Sequence, residues 1–155
     1  MNKLIAQKNL NDLLGKLRAD GKVIVTTNGC FDILHVGHVR YLEKAKEFGD
    51  VLIIALNSDE SVRKIKGPNR PINNENDRAE VLSALEFADY IILFDDESPQ
   101  DLLAFIKPDI HTKGSDYSTE TLPELKVIVE NGGRVEFIDL VEGKSTTSII
   151  EKLNR

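Results

Sequence analysis

Short apolar runs alternate along this chain with longer segments whose apolar positions recur every three or four residues. The short runs are almost continuous in Val, Ile and Leu, which is typical of strands buried on both faces of a parallel sheet. The predicted strands are 22–27, 50–56, 90–94, 109–113 and 134–139. The predicted helices are 35–49, 74–88, 98–107, 121–133 and 145–155, preceded by a lead-in helix within residues 1–20. This order predicts an α/β domain in which a doubly wound, parallel five-stranded sheet lies between two helical layers.

Residues at two of the helix ends are typical of helix caps. Ser98 is predicted to cap helix 98–107, with Pro99 in the first turn. Ser145 or Thr146 is predicted to cap the last helix, because a hydroxyl at that position can accept a hydrogen bond from a free backbone N–H.

The composition fits a single globular domain that spans residues 1–155. The longest apolar runs are far shorter than the roughly 18 residues that a membrane span needs. The first residues also lack the apolar stretch of a secretory signal, so we expect a cytoplasmic protein without a membrane partner. The one cysteine, Cys30, excludes an intrachain disulfide and a multi-cysteine zinc site.

The charge of the chain limits the kinds of ligand it can bind. A net charge of −6 argues against sequence-independent binding of DNA or RNA, which needs many Lys and Arg contacts to phosphate. Five cations nevertheless cluster between positions 63 and 78, and a local patch of this kind can still bind a small anion. They are Arg63, Lys64, Lys66, Arg70 and Arg78. Taken alone, the cluster is typical of a solvated loop.

The stretch TTNGCFDILHVGH, residues 26–38, joins the first predicted strand to the next helix. Its Asn-Gly pair is ordinarily a hairpin signal, but helical periodicity follows it instead of a second strand. Ligands of open α/β sheets bind beyond the carboxyl ends of the strands, near the point where the strand order reverses. This turn is therefore a candidate binding site.

His35 and His38 lie three residues apart at the start of that helix, so both side chains are predicted to project from one face. The backbone N–H groups of a first helical turn have no intrahelical partner, and the helix dipole places partial positive charge there. Gly37 lets a ligand approach the backbone closely. Two imidazoles beside free amides and open space favour a phosphate-binding site.

Two other interpretations of the histidines stay open. A metal site could combine both imidazoles with Asp32, but the zinc-hydrolase motif needs histidines at i and i+4 with an adjacent glutamate, and no such motif is present. A histidine hydrogen-bonded in the core is the ordinary interpretation of a lone histidine, and a pair beside glycine fits it less well. Cys30 lacks the turn of a covalent nucleophile, and neither a Walker motif nor GxGxxG occurs. Phosphate chemistry here would need no covalent intermediate, and no metal-ligating residue is predicted.

Three motifs together resemble a known family: NGCFDILHVGH (28–38), KGSDY (113–117) and EGKSTTSII (142–150). HxGH after a first strand is typical of the cytidylyltransferase-like nucleotidyltransferases. Motifs from about Gly21 to about Leu153 are similar, in the same order, to the adenylyltransferase domain of bacterial ADP-heptose synthase. The resemblance implies a three-layer, Rossmann-like nucleotidyltransferase fold.

The resemblance also implies a reaction and its partners. AMP would pass from ATP to a sugar 1-phosphate, D-glycero-D-manno-heptose 1-phosphate, with release of pyrophosphate. Mg²⁺ would be bound mainly through the substrate phosphates. The chain would form a homodimer, and a separately encoded sugar kinase would act in the same pathway of lipopolysaccharide core biosynthesis.

Site residues follow from the same resemblance, position by position. It implies that His35, His38 and Lys113 are catalytic. It assigns nucleotide binding to Gly29, Cys30, Phe31, Gly37, Gly114, Ser145, Thr146 and Thr147. It places Asp32, Lys66 and Arg78 against the phosphate and sugar of the acceptor.

The sequence leaves alternatives for both the nucleotide and the acceptor. Cytidylyltransferases for glycerol phosphate usually carry an Arg-Thr pair before the glycine of the last motif, whereas residues 140–142 here are Leu-Val-Glu. That difference favours the heptose branch but leaves the base open among ATP, GTP and CTP. The alternatives are a cytidylyltransferase for glycerol 3-phosphate or a similar phosphorylated alcohol, an FAD-forming adenylyltransferase, and a non-catalytic nucleotide-binding regulatory module.

Overall fold

Five parallel strands form a single sheet in the computed structural model, which describes residues 2–155. The strands are β1 (Ile24–Gly29), β2 (Val51–Asn57), β3 (Tyr90–Phe94), β4 (Ile110–Gly114) and β5 (Arg134–Ile138). Their order across the sheet is β3-β2-β1-β4-β5, and every pairing is parallel. The predicted doubly wound α/β fold is confirmed.

Within residues 2–155, seven helices flank the sheet. They are α1 (Gln7–Ala19), α2 (Val36–Lys46), α3 (Asp59–Lys66), α4 (Glu75–Ser83), α5 (Gln100–Ile106), α6 (Leu125–Glu130) and α7 (Thr146–Leu153). The lead-in helix begins at Gln7. Before it, the backbone of residues 3–5 forms hydrogen bonds with Ile91 of β3. The predicted lead-in segment and domain also include Met1, which lies outside the described residues.

The cation-rich segment after β2 contains helix α3, so the interpretation of its first part as a loop was wrong. Ser58 caps this helix by accepting a hydrogen bond from the Ser61 N–H. Acidic residues occupy the first turn and cations the last, which matches the helix dipole. The helix has only eight residues and buries only Ser61 and Val62, so no apolar periodicity predicted it.

Side chains from alternate positions of the central strands enter two separate cores. In β2, Leu52 and Ile54 pack in the cluster that contains Leu42 of α2 and Leu82 of α4. The intervening residue, Ile53, packs instead with α1 and α5. Both faces of the sheet are therefore covered, which explains why the strand sequences are apolar throughout.

Several helices are shorter than their sequence patterns predict: α4 ends at Ser83 and α6 spans only Leu125–Glu130. Ser98 does not cap α5, which begins at Gln100 and has no side-chain cap, so that prediction was wrong. No helix within residues 2–155 is long and apolar enough to cross a bilayer.

The strand order reverses between β1 and β4, and a crevice lies there. Pairing of these two strands is confined to Val25 with Ile110 and Thr26 with His111, near their amino ends. Their carboxyl ends continue to Gly29 and Gly114 without pairing further with each other. Open α/β sheets bind ligands at this kind of switch point.

Candidate functional site

Two adjoining cavities open at the carboxyl ends of the strands. The first, which we call the helix-end cavity, has a volume of about 310 Å³ and lies at the amino ends of α2 and α7. The second, the loop cavity, has a volume of about 650 Å³ and extends toward the end of α3 and the segments 97–99 and 123–124. Gly29, Cys30, His38, Lys66 and Lys113 line both cavities. One ligand site can therefore continue into the other.

The turn after β1 forms the floor shared by the two cavities. Phe31 has a φ of 46°, a conformation that costs energy for a residue with a side chain. Its ring packs over Gly29, where an added Cβ would lie 2.9 Å from the ring. The predicted nucleotide-binding residues Gly29, Cys30 and Phe31 therefore form one tightly folded turn that lines the crevice.

His35 is the N-cap of α2, and its Nδ1 accepts a hydrogen bond of 3.0 Å from the Gly37 N–H. This amide is therefore already occupied, contrary to the expectation that it is free for phosphate. Because Nδ1 accepts, the proton of the neutral ring lies on Nε2, which is left as a donor. The capping contact thus fixes the tautomer of His35.

His38 is held by two aromatic neighbours. Its ring stacks on His35 with a centroid distance of 3.8 Å and meets the edge of Phe31 at 5.1 Å. The prediction that both histidines share one face of α2 is confirmed. The His38 Nδ1 is buried and has no partner among residues 2–155.

The imidazoles are expected to be neutral at pH 7. Burial, together with His35 and Lys66, lowers the pKa of His38 from 6.5 to about 4. Burial and Lys113 lower the pKa of His111, on β4, to about 3. The unfolded chain binds these protons near pH 6.5, so the free energy of unfolding should fall as pH drops from 6.5 toward these values.

We expect NMR titration of the imidazole signals to show no protonation of His38 or His111 between pH 8 and pH 5.5. The reason is the loss of hydration of both rings in the folded protein. The same samples should unfold at lower urea concentration at pH 5 than at pH 7. A midpoint near 6.5 for either ring would contradict the burial described above.

Gly37 lies directly under the His35 ring. A Cβ at position 37 would come 2.8 Å from Cε1 of His35 and 3.4 Å from Cβ of Lys144. We expect Gly37→Ala to displace the His35 ring and to lower turnover by about tenfold or more, since a shift of about 1 Å can cost up to about a hundredfold. Steady-state kinetics check this expectation.

Gly15→Ala is the matched control for that substitution, because a Cβ at position 15 of α1 would meet nothing within 4 Å. It should leave turnover unchanged and raise stability by about 0.4–1 kcal/mol. Equal turnover in the Gly15 and Gly37 variants would show that the His35 position does not matter.

The start of α7 faces the start of α2 across the helix-end cavity. Ser145 caps α7, as predicted, and forms a reciprocal capping box with Ser148. Thr146 donates a hydrogen bond of 3.1 Å to the carbonyl oxygen of Ile33 and so ties α7 to the turn after β1. Two of the three predicted hydroxyls thus have structural partners. Thr147 lines the cavity beside Lys144.

Lys113 extends from the end of β4 into the crevice. Its Nζ donates a hydrogen bond of 3.1 Å to Oδ1 of Asn28 at the end of β1. The same Nζ lies 3.9 Å from Oε1 of Glu124 and 5.0 Å from the centroid of the Tyr117 ring. Burial lowers the pKa of the Lys113 ammonium, and the nearby Glu124 carboxylate opposes that change. The ammonium is therefore fixed at the boundary between the cavities.

Gly114 and Lys66 also line the crevice. A Cβ on Gly114 would collide with Oδ1 of Asp116 and with Leu140, so only glycine fits this wall of the helix-end cavity. Lys66, the last residue of α3, is exposed and lines both cavities. It is an exposed cation within reach of anions in either cavity.

Asp32 is buried and organises the loop after α3. Its carboxylate accepts hydrogen bonds from the N–H groups of Ile72 and Asn73 and pairs with Arg70 at 2.7 Å. Burial alone would raise its pKa, but these donors bring the pKa of Asp32 below its usual value. Although Asp32 lines the loop cavity, its acceptors are already engaged. The geometry favours a role in positioning Arg70 over direct contact with an acceptor.

The structure revises the role predicted for Arg78. Its side chain is only 1% exposed and lines neither the helix-end cavity nor the loop cavity. The guanidinium donates to the carbonyl oxygens of Cys30, Asn57 and Asn73, and it pairs with Asp59 at 2.8 Å. Arg78 therefore ties together the ends of β1 and β2 instead of facing the acceptor.

Residues 2–155 contain no group of three His, Cys, Asp or Glu side chains able to hold a metal ion. Lys66, Lys113 and Lys144 line the helix-end cavity, with Asp116 as a carboxylate among them. These side chains fit a Mg²⁺ ion that binds together with the substrate phosphates better than one coordinated mainly by the protein.

Sequence reasoning missed several residues that line the crevice: Asn28, Ser98, Tyr117 and Glu124. Asn28 and Tyr117 lie inside motifs that were recognised, so their position was available as a signal. Glu124 follows Leu-Pro in a segment without any such motif, and only the fold brings it to Lys113.

Comparison with known proteins identifies related sequences. The family model described as cytidylyltransferase-like matches residues 26–152. The chain is 49% identical over 152 residues to the bifunctional protein HldE of Syntrophotalea carbinolica, which covers 98% of this chain and 31% of that protein. It is 51% identical over 146 residues to the HldE of Campylobacter jejuni, covering 94% of this chain and 31% of that protein. The chain thus spans about a third of the length of these relatives.

A solved structure has the same fold. The crystal structure of the lipopolysaccharide core biosynthesis protein from Thermoplasma volcanium matches with a TM-score of 0.65 and 31% sequence identity. The match covers 80% of this chain and all of that one.

Proposed function

Because this chain belongs to the cytidylyltransferase-like family of nucleotidyltransferases, we propose that it transfers AMP from ATP to D-glycero-D-manno-heptose 1-phosphate. The products would be ADP-heptose and pyrophosphate. The high identity to HldE proteins and the likeness to a lipopolysaccharide core biosynthesis protein support this substrate class. HldE proteins are bifunctional, and we infer that a sugar kinase supplies the acceptor. The homodimer stays a prediction.

One observation carries the proposal: two helix amino ends and a stacked histidine pair meet at a crevice that continues into a second, cation-lined cavity. Helix amino ends favour negative charge. We therefore assign the triphosphate to the helix-end cavity and the acceptor to the loop cavity. The reacting atoms would meet at the shared wall, between His38 and Lys113.

The chemistry needs positioning and charge stabilisation more than proton transfer. An ionised oxygen of the acceptor phosphate attacks the α-phosphorus and forms a new P–O bond. The bond between the α-phosphorus and the oxygen that bridges to the β-phosphate breaks. Pyrophosphate leaves with that electron pair, so no general base is required. The Nε2–H of His35, the N–H of the neutral His38 ring and the ammonium of Lys113 are fixed donors for the charge on the phosphoryl oxygens. Magnesium, when bound to the triphosphate, supplies further charge neutralisation.

The decisive test measures pyrophosphate release from every pairing of ATP, CTP and GTP with a panel of phosphorylated acceptors. The panel contains D-glycero-D-manno-heptose 1-phosphate, mannose 1-phosphate, glycerol 3-phosphate and FMN. Release that is fastest with ATP and the heptose phosphate supports the proposal. Release only with CTP and glycerol 3-phosphate, or only with FMN, would replace it by another transferase. No release with any pair would favour a regulatory nucleotide-binding module.

A further inference from the structure

Unpartnered buried polar atoms concentrate around the loop cavity. Within residues 2–155, five buried side-chain nitrogen or oxygen atoms lack a hydrogen-bond partner. Four of them belong to residues that line this cavity: His38, Arg70, Ser98 and Glu124. Buried polar atoms are nearly always paired in folded proteins, so an exception needs an explanation. A ligand that carries both donors and acceptors would supply the missing partners.

Glu124 is the most informative of these residues. It precedes α6 and is only 4% exposed, although carboxylates are rarely buried without a partner. Its Oε1 lies 3.9 Å from the Lys113 Nζ, which is a long contact, and its Oε2 has no partner. A carboxylate oxygen accepts hydrogen bonds, so Oε2 needs a donor, which a ligand in the adjoining cavity would supply.

The charges around the cavity indicate where each part of a ligand would lie. Lys64, Lys66 and Arg70 line the cavity, and the Nη2 of Arg70 is one of the unpartnered donors. These cations suit a phosphate. The Glu124 carboxylate repels a phosphate and attracts hydroxyl groups, and the Ser98 Oγ can donate to or accept from a hydroxyl. The lining therefore offers cations for a phosphate and, in Glu124 and Ser98, hydrogen-bond partners for hydroxyl groups.

We propose that Glu124 is a specificity-determining residue whose Oε2 accepts a hydrogen bond from a hydroxyl group of the acceptor, so that the loop cavity selects phosphorylated polyols. Ser98 is its neutral partner for a second hydroxyl. This inference rests on the proposed function, because it assigns the loop cavity to the acceptor. It adds the residue that distinguishes a sugar phosphate from a phosphate ester without hydroxyls.

A purely structural role for Glu124 fits the geometry less well. A buried ion pair would bring the carboxylate closer to Lys113 than 3.9 Å and would engage both oxygens. A bound cation would need further acidic or imidazole ligands, and no such group of three exists in the described part of the chain.

The test is Glu124→Gln, which keeps the shape of the side chain and removes its charge. Glu120→Gln is the matched control, because Glu120 is exposed in the same segment. Calorimetry measures three ligands: D-glycero-D-manno-heptose 1-phosphate, methyl phosphate as an ester without hydroxyls, and ATP. We expect the heptose phosphate to bind about 10–100-fold more weakly to Glu124→Gln, the range for a hydrogen bond to a charged group. Methyl phosphate and ATP should keep their affinities within about twofold.

The other outcomes overturn the inference in distinct ways. Equal weakening of all three ligands would mean that Glu124 acts through Lys113 or through the fold. An unchanged affinity for the heptose phosphate would remove Glu124 from its recognition, as would a wild-type protein that binds it no better than methyl phosphate. These measurements need no turnover, so heptose phosphate binding that depends on Glu124 in a protein that releases no pyrophosphate would retain this inference and reject the proposed reaction.

Discussion

His38→Ala is expected to lower turnover by about 10²–10³-fold, the usual loss when a fixed donor to a developing phosphoryl charge is removed. The side chain lines both cavities, and its ring is held between His35 and Phe31. Because these contacts hold the ring before any ligand binds, its loss should reduce kcat far more than it raises KM for ATP. Steady-state pyrophosphate release measures both quantities.

Val36→Ala is the control for that variant, since Val36 is 40% exposed in the same turn of α2. It should retain wild-type turnover. His35→Ala should lose turnover as well and, in addition, about 1 kcal/mol of stability, because it removes the N-cap of α2. Normal turnover in both histidine variants would eliminate the proposed site.

Much of the fold was predictable because its strands are buried on both faces. Five apolar runs, each bounded by turn residues, indicated the parallel sheet, and all five strands lie within two residues of their predicted bounds. Helix α3 could not be predicted in the same way, because its stability comes from the Ser58 cap and its charge arrangement instead of an apolar stripe. Capping and dipole effects are local and small, so they leave a weak signal in a single sequence.

The candidate site, like the fold, was predictable from the sequence only in part. The stacked histidines and the cap at Ser145 were predictable, because helix geometry fixes neighbours three residues apart and caps precede the first turn. The partners of Lys113 and Asp32 were not, because they come from segments distant in sequence: Glu124 in one case and Arg70 in the other. Charge and position in a motif suggest that a residue is functional, but only the fold shows whether its polar atoms are free for a ligand.

For Arg78, the sequence motif and the structure lead to different expectations. We expect Arg78→Ala to lower the free energy of unfolding by about 3–5 kcal/mol, because it removes the buried member of a partly buried ion pair together with its hydrogen bonds to three carbonyl oxygens. The substitution leaves Asp59 without its cation and removes the donor shared by the carbonyl oxygens of Cys30 and Asn57. Urea denaturation measures the loss, and Arg63→Ala, an exposed cation on α3, is the control that should change stability little. The opposite result would be an Arg78 variant with wild-type stability and a raised KM for the acceptor alone. That result would show that Arg78 binds the acceptor directly, because a guanidinium that binds a phosphate contributes to affinity without holding the two strand ends together.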